Sequence, residues 1–274
     1  MAVGLSRMAA GFSCAALLVL RCAQAATISP SALRKVRLLD LSEQLTAYGD
    51  AWTLQQQLVN YHMGLQSAAV GRGSEGAAEY SGTLVALQHK PVYTLGSGTA
   101  EGSGPFSFTA RDGSRLEYET HNVERAGQAT YHGPGQLVLY PILDLHYWNR
   151  DINWYLRALE DVAIGALDCY RIHGERRGEE GHTGVWVGDS KVAALGIKIS
   201  RWVTMHGMSL NVCPDMRYFD NIVPCGISDK AVGSIATLGG PGVAMGECTA
   251  KVLDIFAEKF SVQFTTFRRA DLLL

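Results

Sequence analysis

Three segments carry residue types that could do chemistry. Residues 221–227, NIVPCGI, hold Cys225 between Pro224 and Gly226. Proline restricts φ on one side and glycine frees the backbone on the other, which suits a thiol presented from a turn. Residues 184–212, GVWVGDSKVAALGIKISRWVTMHGMSLNV, hold Lys191, one of seven lysines in the chain. Period-two alternation puts Lys191 on one strand face with Ala193, Leu195, Ile197 and Ile199, where burial disfavours the charged ammonium. Residues 125–145, RAGQATYHGPGQLVLYPILDL, place Arg125, Gly127, His132, Gly133 and Gly135 ahead of an apolar strand. Glycines there would let the backbone approach a substrate closely. Each segment also has a plain structural reading: a small buried thiol, a lysine at a turn reaching water, and a tight turn with a hydrogen-bonded histidine. Together they make the parts of one nucleophilic site. A cation stabilises a thiolate, the thiolate attacks an acyl carbon, and glycine-exposed N–H groups hold the oxyanion.

The elements that must position these residues are legible as strands with helices between and after them. Ala51, Leu54, Leu58, Tyr61 and Leu65 recur at steps of three and four, which predicts a helix over 48–65. Ile152, Tyr155, Leu156, Leu159, Val162, Ala163, Ala166 and Leu167 make a second helix, and Val252, Leu253, Phe256 and Phe260 a third. Strands are expected at 36–41, 83–88, 92–95, 115–119, 136–145, 184–187, 192–199 and 203–212. Gly188-Asp189-Ser190 is the turn between two of them, and Pro141 limits where its strand can sit in a sheet. Gly/Ser-rich stretches at 68–78 and 96–104 read as loops. With no repeat and no clear linker, the economical fold class is a single α+β domain over 37–274.

The chain has 274 residues, 47% of them hydrophobic and 18% charged, with a net charge of −2. This excludes a disordered chain and removes the electrostatic case for nucleic acid. The six cysteines include no CxxC pair, so neither a disulfide scaffold nor a zinc site is expected. The first 39 residues lack Asp and Glu and carry Arg7, Arg21, Arg34, Lys35 and Arg37. Residues 1–36 are therefore read as an organelle-targeting leader, mitochondrial by its arginines. An apolar core at 9–20 and a small-residue site at Ala23-Gln24-Ala25 keep a plastid reading open. That core is too short for a membrane span, and no stable membrane association is expected.

The three segments, in this order, closely resemble the octanoyltransferases of lipoate biosynthesis. That family carries RGGQxTYHGPGQ, then GVxVG…KI…LG…R…HG…LNV, then PCG, where this chain reads RAGQATYHGPGQ, GVWVGDSKVAALGIKISRWVTMHGMSLNV and VPCGI. The resemblance covers about 38–264. It implies the fold of lipoate-protein ligases and the biotin-ligase catalytic domain, with mixed sheets flanked by helices. It also implies transfer of an octanoyl group from octanoyl-acyl carrier protein to a specific lysine. The acceptors would be the lipoyl domains of 2-oxoacid dehydrogenase complexes and the glycine cleavage H protein. Carried over residue by residue, Cys225 is the acyl-thioester nucleophile and Lys191 its activating partner. Substrate-binding positions fall on Arg125, Ala126, Gly127, Gln128, Ala129, Thr130, Tyr131 and His132, on Ala194, Leu195 and Gly196, and on Gly207, Met208 and Ser209. No cofactor and no metal are implied, and a monomer is the default. Ala126 departs from the family's RGGQ, and its methyl group would alter the pocket wall. An ATP-dependent ligase of the same fold, a non-catalytic acyl-binding module and a Cys225–His132 hydrolase are the competing readings.

Overall fold

The computed structural model describes residues 33–70, 79–99, 107–109, 115–177, 183–222, 231–239 and 242–268. Cys225, most of the expected leader and most of the two Gly/Ser-rich stretches lie outside these residues. Strand β1 (Arg34–Thr46) leads into helix α1 (Tyr48–Val70). Then come β2 (Gly82–His89), β3 (Val92–Leu95), the short β4 (Ser107–Thr109), β5 (Arg115–Glu117) and β6 (Thr120–Asn122). The strands β7 (Ala129–His132) and β8 (Gln136–Leu143) precede helix α2 (Ile152–Asp168). The order continues through β9 (Glu175–Arg176), β10 (Gly184–Val187), β11 (Ser190–Ser200) and β12 (Val203–Asn211). It ends with β13 (Ala231–Val232), α3 (Met245–Phe260) and β14 (Val262–Thr266). The three expected helices are present, the first running five residues longer than its apolar spacing predicts.

The main sheet is mixed, in the order β14-β1-β2-β8-β12-β11-β10-β9, with β13 paired to β11. A smaller sheet, β6-β3-β7, carries the Gly-rich segment. β1 begins at Arg34, inside the stretch assigned to the leader, and pairs with β14 in parallel from Arg34↔Val262 onward. Residues 34–36 are therefore part of the sheet.

Each sheet face is covered. On one, α2 and α3 bury Tyr155, Leu159, Val162, Phe256 and Phe260 against Leu84, Leu139 and Leu210. The i, i+3, i+4 spacing puts these helical residues on one stripe. The Asp151 side chain accepts the Asn153 and Trp154 N–H groups at the start of α2, a cap of about 1 kcal/mol. On the other face, α1 buries Ala51, Leu54 and Leu58 against Val85, Leu87, Val138 and Tyr140.

Pro141 is not at an edge. It stands in β8, between β2 and β12, opposite Leu84. The sheet tolerates it because β12 stops pairing with β8 at Met208↔Leu139. Beyond that point Thr204 substitutes for the backbone ladder. Its hydroxyl donates to the Pro141 carbonyl at 2.6 Å and accepts the Leu143 N–H at 2.9 Å. A proline lacks the N–H that a central ladder needs, so a side chain fills the gap. A Cβ at Gly207 would come within 2.6 Å of Pro141 Cδ. Next to it, His206 has a left-handed backbone, φ 60°. The interrupted pairing leaves an opening in the sheet, and the candidate site lies there.

Candidate active site

One cleft gathers most of the substrate-binding positions. Its walls are Arg125 with residues 127–130 and His132, residues 194–196 of β11, and residues 207–209 of β12. The cleft is narrow, about 50 Å³. An adjoining hollow of about 530 Å³ shares Gly127 and Leu195 with it and adds Ala126, Ile152, Leu156 and Ile199. Lys191 is not part of this wall, and two of the expected substrate-binding residues also stand apart from the cleft. Ala126 faces the hollow instead. Tyr131 turns away, stacked on Tyr218 with ring centres 4.7 Å apart, because alternate residues of a strand point to opposite faces.

Arg125 organises the loop more than it reaches outward. It is 8% exposed. Its guanidinium donates to the Thr94 carbonyl at 3.0 Å, the Thr94 hydroxyl at 2.9 Å, the Gln128 carbonyl at 2.8 Å and the Ala126 carbonyl at 3.1 Å. A planar fork of donors suits a loop of converging carbonyls. Gly127, at φ 93°, supplies the left-handed backbone this loop needs. Ala126 is not at positive φ and is exposed. Its extra methyl therefore introduces no backbone strain.

Lys191 is 6% exposed, but not on the expected face. The β10–β11 register runs Gly184↔Ala194, Val185↔Ala193, then Trp186↔Lys191. β11 thus carries one extra residue, a bulge beside Lys191, and a bulge reverses the alternation that follows it. Ala193 packs into the helix-covered core with Val185. Lys191 instead shares the face of Trp186, Gly184 and Ala194. Its Nζ sits 5.5 Å from the Trp186 ring centre, in cation–π range. A Cβ at Gly184 would meet Lys191 Cε at 2.6 Å. Gly184, at φ 136°, is therefore the floor on which the lysine stem lies. Its N–H donates to Glu160 Oε1 at 3.2 Å.

Four residues escaped the sequence reading: Tyr48, Val138, Tyr140 and His206 also line the cleft. Only His206 had a local signal, as the residue before Gly207. The cleft histidines are neutral near pH 7. His132 donates from Nδ1 to Gln136 Oε1 at 2.6 Å; burial, then neighbouring His89, pushes its pKa down to about 3. Burial, then Arg125, lowers His206 to about 4. Behind them, His89 accepts from the Tyr140 hydroxyl at 2.7 Å and gives its other N–H to the Thr46 carbonyl at 3.1 Å.

The architecture is a mixed sheet with helices on both faces, a glycine-walled cleft and a buried lysine on the strand that forms one cleft wall. A solved putative lipoate protein ligase of T. acidophilum with bound lipoic acid shares that fold. Its TM-score is 0.60 at 12% identity, covering 88% of this chain and 91% of that one. The Lipoyl protein ligase A/B catalytic domain family matches residues 48–257. An octanoyltransferase of Nostoc punctiforme is 52% identical over 180 residues, 66% of this chain and 75% of that protein. A chloroplastic octanoyltransferase of Arabidopsis thaliana is 39% identical over 234 residues, 85% of this chain and 78% of that protein. The chain belongs to the lipoyl protein ligase A/B catalytic-domain family, among its octanoyltransferases. It is an acyltransferase that moves an octanoyl group in protein lipoylation.

Proposed function

We propose that the transfer runs through an octanoyl thioester on Cys225, with Lys191 moving the protons. The observation that carries this reading is the burial of Lys191 on the face of β11 that also carries Ala194, a residue of the cleft wall. Cys225 is three residues from Ile222, and a chain spans at most about 3.6 Å per residue. Ile222 packs with Ala129 and Tyr131 of β7. On the other side of the thiol, Val232 pairs directly with Lys191. One anchor of the 223–230 segment thus lies by the cleft wall at Ala129 and the other beside Lys191, which supports bringing the thiol to both.

The chemistry then balances as follows. Lys191 takes the proton from Cys225 Sγ. The thiolate forms a bond to the octanoyl carbonyl carbon. The bond to the carrier's pantetheine sulfur breaks, and that sulfur leaves with its electron pair and collects the proton from Lys191. In the second half, the acceptor lysine amine forms the C–N bond and gives a proton to Lys191, while Cys225 Sγ leaves with the other pair. The Ile197 carbonyl accepts the Ala126 N–H, so alternation also turns the Leu195 N–H away from β12. Pairing of β10 with β11 ends at Gly184↔Ala194. The Leu195 N–H thus faces β10 at its last rung, Gly184↔Ala194, and Gly196 points its N–H toward β12, so neither is assigned as oxyanion donor. The hollow of Ile152, Leu156, Leu195 and Ile199 offers apolar surface to the octanoyl chain, at about 0.8 kcal/mol per buried CH₂.

Octanoyl-acyl carrier protein is the proposed donor. Lipoyl domains of 2-oxoacid dehydrogenase complexes and the glycine cleavage H protein are the proposed acceptors, served by a monomer. Intact-protein mass spectrometry tests the route. Mixing the enzyme with octanoyl-acyl carrier protein is expected to give one octanoyl adduct, which moves to an added lipoyl domain. Cys225→Ser should abolish the adduct and lower transfer by at least about 100-fold. Modification that instead requires ATP and free octanoate would replace this reading by the ligase.

The residues ahead of β1 are proposed as the targeting leader, and the remainder as the catalytic domain. Similarity to cyanobacterial chains and to a chloroplastic plant protein supports the plastid over the mitochondrion. A fluorescent protein fused behind residues 1–33 should enter plastids of a plant cell. Entry into mitochondria alone would reverse that assignment.

A further inference from the structure

A chain of buried hydrogen bonds runs from the cleft to the strand beside Lys191, and no residue between its ends has a part in the chemistry above. His132 Nδ1 meets Gln136 Oε1 at 2.6 Å. Gln136 Nε2 donates to Asn211 Oδ1 at 2.9 Å, and Asn211 Nδ2 donates to the Gly233 carbonyl at 2.9 Å. The Gly233 N–H in turn donates to the Lys191 carbonyl at 3.0 Å. His132, Gln136 and Asn211 are 7%, 1% and 5% exposed.

The direction of every bond is determined by chemistry. A peptide carbonyl can only accept, so the Gly233 carbonyl forces the Asn211 NH₂ toward itself. Asn211 must then present its oxygen to Gln136. A second carbonyl, that of Tyr131, independently takes the Gln136 NH₂ at 3.2 Å. Gln136 is left with only its oxygen for His132, so His132 must carry its proton on Nδ1. In the neutral ring the other nitrogen, Nε2, is then a bare acceptor. It has no hydrogen-bond partner among the described residues and is absent from the buried, unpartnered atoms. His132 itself lines the cleft.

We propose that Gln136 and Asn211 are positioning residues for the second half of the transfer. They lock His132 so that Nε2 accepts a hydrogen bond from the incoming lysine amine and aims its lone pair at the acyl carbon. The inference rests on the acyl-enzyme reading above. Of the two substrates, the amine is the one that brings N–H groups to the reacting carbon; the donor's thioester brings none there. His132 faces His89 on β2, Arg125 on the loop, His206 on β12 and Gln136 on its own turn. The first three oppose a second proton and only the Gln136 oxygen favours one. The ring therefore holds the amine without taking its proton, and that proton is left for Lys191.

Two measurements test this. The first is the ¹⁵N spectrum of histidine-labelled enzyme, which should show His132 with a bare Nε2 and a protonated Nδ1. A proton on Nε2 would overturn the proposal whatever the activity. The second separates the half-reactions by single-turnover mass spectrometry. Gln136→Leu removes the acceptor that fixes Nδ1–H and should slow transfer to the lipoyl domain about 10- to 100-fold, the worth of one hydrogen bond to a charge-developing group. Formation of the acyl-enzyme should stay within about 2-fold of wild type. Equal slowing of both halves would reduce the relay to a structural element. Gln136→Glu guards against simple misfolding. It keeps an acceptor for Nδ1–H but adds a carboxylate that stabilises the imidazolium. The amine-transfer step should then gain an acidic limb at about pH 6 to 8 that wild type lacks, and an unchanged pH profile would count against the proposal. If wild type forms no acyl-enzyme at all, the Cys225 reading falls, while the spectrum still judges the tautomer.

Discussion

Lys191→Met is expected to lower octanoyl transfer by about 10²- to 10⁴-fold, the range for loss of a positioned proton carrier, without lowering the melting temperature. Methionine keeps an unbranched stem of similar reach over Gly184 and Trp186. It also removes a polar amine from a site that is 6% exposed, where burying a polar group costs free energy. Lys191→Arg separates two roles. Arginine keeps the cation but cannot surrender a proton near neutral pH, so it should be as slow as methionine if Lys191 shuttles protons. Recovery of turnover in the arginine variant would make Lys191 an electrostatic partner of the thiolate only. Gly184→Ala leaves the lysine in place but fills its floor. The added Cβ would overlap Lys191 Cε at a backbone angle of φ 136° that suits glycine, and activity should fall with Lys191 untouched. Rates measured with a purified lipoyl domain, alongside thermal melts, check all three variants. Full activity in Lys191→Met would remove this residue from the chemistry.

Acid should unfold the protein over a narrow range beginning near pH 6.5. Burial is the largest cause holding down the pKa of four histidines in the folded state: His62, His89 and His206 at about 4 and His132 at about 3. All four are at most 7% exposed. In the unfolded chain each returns to about 6.5. Below that pH the unfolded state binds protons that the native state does not, so stability is full above about pH 6.5 and is lost as the pH falls toward 4. Four groups together give a slope of about 5 kcal/mol per pH unit, and a loss of about 5 kcal/mol by pH 5.5. Ordinary domain stability is about 5–15 kcal/mol, so much of it disappears within one pH unit. Urea unfolding at pH 7.5 and 5.5 reads this directly. His62→Gln, far from the cleft, should relieve about a quarter of the slope. A loss under about 1 kcal/mol at pH 5.5 would mean that these rings ionise in place.

How much of this was legible in the residues themselves depends on the range of the interaction. Helix α2 follows from apolar spacing alone, because a helix stripe is a local period of 3.6 and its cap, Asp151, is adjacent in sequence. Two of the motif segments, 125–132 and 194–209, marked twelve of the cleft residues, because the resemblance carried those positions over as contiguous motifs. The long-range parts were hidden. Asn211 holds Gln136 across 75 residues, and Tyr48 and Tyr140 enter the cleft from a helix and a strand that look like ordinary core.

The sequence by itself determined the class of fold and the family, and it marked most residues of the cleft. The fold class rests on local periodicity, and the family on the resemblance of three motifs in order. Only the tertiary structure decided where those side chains point. Alternation along β11 assigns Lys191 to one face, and the bulge opposite Trp186 moves it to the other. Pro141 limits where its strand can sit, yet Thr204 from a neighbouring strand lets it stand inside the sheet. Tyr131 belongs to the motif but packs on Tyr218. In each case strand register and partners distant in the chain set the outcome. A one-residue shift in pairing reverses a side chain's face without changing any residue.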